Sequence, residues 1–136
     1  MSRHRAPDPG VIDAIPDLYL AVRSAFPDMA AKADRDYFEQ WGERLPEDEY
    51  SWFQSLANAL NAQMRKRVAA ADHRALFEFI NRALRDCSAE VARCIDVSFV
   101  ENLFWQVPAD QAQGYWQQLP GPLKQLYLQF HSRPPA

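Results

Sequence analysis

The sequence predicts an all-α single domain, and three observations carry that prediction. Apolar residues recur at helical spacing through most of the chain, most cleanly in Ala75-Leu76, Phe79-Ile80 and Ala83-Leu84. No stretch sustains an alternation of apolar and polar residues, and β-branched residues are sparse. Prolines stand just before or just after the periodic stretches, where they start or stop helices. Six or seven helices on short links are expected, closed as an irregular bundle or stacked as a short layer of helix pairs. No internal repeat decides between the two.

Residues 1–10 are polar and proline-rich and are expected to be a flexible tail, with the domain running over 11–131 and a second tail at 132–136. Pro16 starts a first helix whose Leu18, Tyr19, Val22 and Phe26 form one stripe, closed by Pro27. A second helix runs from near Asp28 to Gly42, mixing small, charged and aromatic residues. Pro46 followed by Glu47, Asp48 and Glu49 is a strong start for a third, because the carboxylates suit the positive end of a helix dipole. Its Tyr50, Phe53, Ala57, Leu60 and Met64 keep a 3.6-residue period, with Trp52, Leu56 and Ala59 widening the stripe, and Arg65-Lys66-Arg67 matches its negative end.

Asp72 is expected to cap the next helix, with Ala75, Leu76, Phe79, Ile80, Ala83 and Leu84 inward and Arg74, Glu78, Arg82 and Arg85 outward. Ser88 is the expected N-cap of a helix reaching Trp105. There Val91, Ile95 and Phe99 run down one side, and Val97, Val100 and Phe104 down the other. A helix that is apolar all round is enclosed by others, so 88–105 is expected at the centre of the domain. Ser98, Glu101 and Asn102 then need hydrogen-bond partners. Pro108 opens a short helix carrying Ala112, Tyr115, Trp116 and Leu119. After the Pro120-Gly121-Pro122 turn, a last helix carries Leu123, Leu126, Tyr127 and Phe130.

The chain's 136 residues, 48% hydrophobic and 12% aromatic, suffice for one packed core. Its net charge of −3 gives no general case for nucleic-acid binding. No apolar run approaches the roughly 20 residues that span a bilayer, and no apolar segment follows the early positive charges. The expectation is a cytoplasmic protein without a signal peptide. Cys87 and Cys94 lie two turns apart, roughly 10 Å along a helix, too far for a disulfide within it, and are expected reduced.

Catalytic chemistry is not visible. His4, His73 and His131 are scattered, and no His-x3-His or Cys-x2-Cys spacing suggests a metal. No Gly-x-Ser-x-Gly elbow or phosphate-cradling glycine loop is present. Glu101, in the most apolar helix, is read as structural, bonding to a neighbouring helix. Arg65-Lys66-Arg67 is read as a solvated helix end. Neither cofactor nor metal is expected.

Charge distribution is more informative. From Asp8 through Glu49 eleven acids face four bases, net −7, whereas Arg65 through Arg93 is net +3. The acidic half also carries Tyr37, Trp41, Tyr50 and Trp52. An acidic surface with aromatic anchors fits a basic protein partner. The candidate partner-binding residues are Asp34, Asp36, Glu39, Trp41, Glu43, Glu47 and Asp48. The competing reading places those aromatics in the core, with the acids only keeping the face wet.

Ser51-Trp52-Phe53-Gln54-Ser55-Leu56-Ala57-Asn58, the helix around Phe77 to Leu84, Val97-Ser98-Phe99-Val100-Glu101-Asn102-Leu103 and Leu119-Pro120-Gly121-Pro122-Leu123 occur in that order. In this the chain resembles a loose bacterial group of small all-helical proteins, some encoded beside polymorphic toxins as immunity proteins. The resemblance covers roughly residues 45–130 and rests on core positions. It implies a helical fold and a non-enzymatic protein that neutralises a toxin by stoichiometric binding, and it carries over no site residues. The alternative is a structural or adaptor module for another cytoplasmic protein. Partners are expected to be protein rather than nucleic acid or membrane, with the chain a monomer or homodimer.

Overall fold

The structure, a computed structural model, describes residues 9–43 and 48–135. The start signal at Pro46-Glu47 and most of the expected N-terminal tail lie outside the described residues. Within them the chain forms α1 (Ile15–Ala25), α2 (Pro27–Trp41), α3 (Glu49–Arg65), α4 (Arg74–Arg85), α5 (Ala89–Cys94), α6 (Ala109–Gln118) and α7 (Gly121–His131), with no strand. These pack as an irregular bundle.

Helix α3 is the hub. It is the longest helix and packs against α1, α2, α6 and the segment that continues α5. Trp52, Phe53, Leu56, Ala57, Leu60 and Met64 along it are fully buried. The 3.6-residue stripe read from the sequence is therefore its core face, and it is wide because helices lie on several sides. Tyr19 of α1 meets the Trp52 ring edge-on at 4.9 Å. Only Phe26 separates α1 from α2, which begins at Pro27, and Gly42, at φ 81°, closes α2 by donating its N–H to the Phe38 carbonyl.

The start of α4 differs from expectation. Asp72 does not cap α4: it is exposed in a 3-10 turn, Ala70–His73, and the helix begins at Arg74. Helix α4 also buries Phe77, packed near Phe99 and Tyr115, while Ala75 faces solvent. Ser88 does cap α5, accepting from the Val91 N–H, and its hydroxyl donates to the Asp13 carbonyl. One serine thus starts a helix and fastens the N-terminal segment to it.

The central stretch is in the core as expected, but it is neither uniform nor as long. Past Cys94 it widens to i→i+5 bonding over Ile95–Phe99, tightens to a 3-10 turn over Val100–Asn102, and turns extended at Leu103. The Asn102 side chain donates to the Ser98 carbonyl at 2.7 Å. Phe104 and Gln106 hold positive φ values of 69° and 55°, which non-glycine residues adopt only when their surroundings compel it. The buried Phe104 ring, wedged edge-on between Trp116 and Tyr127, supplies that compulsion. Trp105 is consequently expelled from the core to the surface, 60% exposed.

Cys87 and Cys94 are both free thiols. Burial pushes the Cys94 thiol up to about 12, so it stays protonated.

Candidate functional site

Helices α2 and α3 form an antiparallel pair joined across Asp34 and Asp36. Asp34 receives the Arg23 guanidinium through two bonds of 2.8 and 2.7 Å and the Trp52 indole N–H at 2.9 Å. Asp36 receives Gln40 at 2.7 Å and Asn58 at 3.1 Å. The two acids are two residues apart, about 200° around a helix, so they serve opposite flanks of α2.

The proposed docking residues therefore do not share one face. Asp34 is committed to α1 and α3, and Asp48 accepts the Tyr37 hydroxyl at 2.6 Å. Asp36 lies in a cleft on the other flank. Glu39 and Glu43 are exposed, and Glu47 lies outside the described residues. Of the four aromatics, Tyr37 and Trp52 are core residues and Tyr50 is half-buried. Trp41 is half exposed, and beside it Phe38, which the sequence reading gave no role, is 46% exposed. Both rings rest against Tyr37. What remains at the C-terminal end of α2 is a pair of outward aromatics beside Glu39 and Glu43.

The Asp36 flank opens into a cleft of about 650 Å³ between α2, α3 and the turn after Asn102. Lys32, Arg35, Arg65 and Lys66 bring four cations to it, against Asp36 and Glu39. Gln40, Gln54, Asn58, Asn61, Gln63 and Asn102 add side-chain amides, and Trp105 stands at its edge. Asn61 fixes that edge: its amide donates to the Asn102 carbonyl at 2.8 Å, and its oxygen accepts the Phe104 N–H at 2.7 Å. Arg65 adds a bond to the Trp105 carbonyl at 3.4 Å. Lys32 also borders a second cleft of about 380 Å³ lined by Phe26, Met29, His73 and Leu76. His73, buried there, donates from Nε2 to the Gln63 side chain at 3.1 Å. Desolvation lowers its pKa, so the ring is held neutral.

Sequence reasoning missed this cleft. The available signal was the spacing of Gln54, Asn58, Asn61 and Arg65, a polar stripe at helical period within an otherwise buried helix.

The family model for the domain of unknown function DUF7674 matches residues 19–133. The chain belongs to that family. No curated protein and no solved structure matches it. The DUF7674 region includes α2, both flanks of it and the whole cleft, whereas the resemblance read from sequence covers only about 45–130. The end of α2 is thus part of the family domain. Among the described residues no cluster of three or more His, Cys, Asp or Glu is placed to hold a metal, and no helix is long and apolar enough to cross a membrane.

Glu101 does not meet its assigned role as read. The bond to α7 goes to the Glu101 backbone carbonyl, which accepts from His131 Nε2 at 3.1 Å. Desolvation, with Asp96 nearby, raises the pKa of its carboxyl, so the charge is disfavoured where it sits.

Proposed function

We propose that this protein is a non-enzymatic binding module that neutralises a basic protein partner, in the manner of a toxin-immunity protein. The observation that carries the reading is the end of α2. Phe38 and Trp41 stand out of the surface at the last turn of a helix, beside the exposed acids Glu39 and Glu43. Large aromatic side chains are expensive to leave in water, and they are the residues that most often anchor interfaces. Both rings are braced by the buried Tyr37, so little rotamer freedom is lost on docking. The surrounding acids would speed encounter with a cationic surface. The resemblance to immunity proteins supports the choice of a toxin as partner.

The anchor is smaller than the acidic face read from sequence, because Asp34 and Asp48 are used inside the molecule. The test is protection of cells producing the product of the adjacent gene. Wild type should protect, and Phe38→Ala with Trp41→Ala should lose protection while remaining folded. Full protection by the double variant would remove the end of α2 from the interface.

A further inference from the structure

The exposed α2 end leaves the α2–α3 cleft without a role. We propose that this cleft binds a nucleoside phosphate. Its charge is the first reason. Four cations against two acids make a local excess of +2 in a chain of net −3. Among the described residues, Lys32, Arg35 and Lys66 form no ion pair. Lys32 and Arg35 reach the cleft from α2, and Arg65 and Lys66 reach it from the C-terminal end of α3. Unneutralised cations gathered in a concave site attract a compact polyanion.

Trp105 is the second reason. It is held out at the rim on a turn in which both flanking residues, Phe104 and Gln106, have left-handed backbone. Asn61 makes two bonds to that turn and Arg65 one. A strained, over-determined turn presenting a flat indole beside cations is suited to stacking on a planar ring. Side-chain amides, each with donors and an acceptor, fill the remaining wall and match the edge of a base and a sugar.

The lining also argues against a peptide. An extended peptide draws affinity from a sheet edge, and the described residues form no strand; a docked helix wants an apolar groove. Here only Ala59, Ala62 and Trp105 are apolar. A nucleic-acid polymer would have to continue past Asp36 and Glu39, which repel its backbone. The volume suits one small molecule.

The experiment is a titration of the full chain by calorimetry and tryptophan fluorescence. The probes are AMP, CMP, ATP, inorganic phosphate and a six-residue Asp/Glu peptide. A nucleotide should bind saturably with a dissociation constant below about 1 mM and more tightly than inorganic phosphate. Arg35→Gln with Lys66→Gln should weaken it by at least about tenfold, and Trp105→Ala by about tenfold, with Trp105→Phe retaining most of it. All of these positions are exposed, and melting curves of the variants verify the fold. The proposal is overturned if no nucleotide saturates the protein by about 10 mM, or if binding ignores the cation pair. It is equally overturned if phosphate alone binds as well as any nucleotide, or if only the acidic peptide binds.

Discussion

Replacing Asp34 by Ala should destabilise the domain far more than an exposed acid would. Two separate losses add. The Trp52 ring is fully buried, so without Asp34 its indole N–H loses its bond at 2.9 Å. Leaving such a donor unsatisfied costs about 1–3 kcal/mol. The Arg23 guanidinium also loses its bidentate partner, but both side chains of that pair are about a third exposed. Solvent screening holds that part to about 1 kcal/mol or less. The sum is about 1–4 kcal/mol, a large share of the ~5–15 kcal/mol by which domains are stable. At about 4 °C per kcal/mol, the melting temperature should fall by roughly 4–16 °C. Asp34→Asn keeps an acceptor for the indole and loses mainly the ion pair, so it should cost about 1 kcal/mol. The assay is urea and thermal unfolding followed by circular dichroism. Equal stability of Asp34→Ala and wild type, or Asn as costly as Ala, would refute the placement of Asp34 as an internal bridge.

Phe99→Ala, removing a fully buried ring from the widened helical segment, should cost about 3–5 kcal/mol by the same unfolding assay. Glu101→Gln should leave stability unchanged or raise it at pH 7, because it removes a charge whose site disfavours it; a clear loss would mean the carboxylate bonds across the core. His73 titrates with the opposite consequence. Its folded pKa lies below the ordinary value near 6.5, so the unfolded chain binds the proton more readily and stability falls as pH drops below about 6.5. Glu101, with its raised folded pKa, gains stability as pH falls toward its ordinary value of 4.5, so wild type shows the balance of the two. Melting temperatures of His73→Gln and wild type between pH 7 and 5 should therefore converge on acidification, and parallel curves would contradict the buried neutral ring.

The helices were legible where periodicity is local. The α3 stripe, the proline starts and the Ser88 cap all depend on residues within a few positions of one another. The register of 88–105 was not. Bonding at i→i+5 over Ile95–Phe99 gives that turn more residues than the 3.6 assumed by a helical wheel, so facings projected from Ser88 drift beyond it. Nothing at Phe104 or Gln106 announces a left-handed turn, since neither is Gly or Asn; the ring cluster of Phe104, Trp116 and Tyr127 imposes it from a distance. The acids of α2 looked alike in sequence. What separates them is that Asp34 meets Trp52 eighteen residues away and Asp36 meets Asn58 twenty-two away. The cleft is invisible for the same reason, being built from two helices and a turn about forty residues beyond.

The central claim is that the end of α2 is the docking surface for a basic partner, and association kinetics test it most directly. The measurement is surface-immobilised binding of the product of the adjacent gene across ionic strength. Glu39→Lys with Glu43→Lys should slow association and flatten its salt dependence, because rim charges act on encounter. Trp41→Ala should instead speed dissociation by about tenfold or more, as the loss of an aromatic anchor does. Unchanged rates with both variants, or no binding to the wild-type protein, would contradict the account.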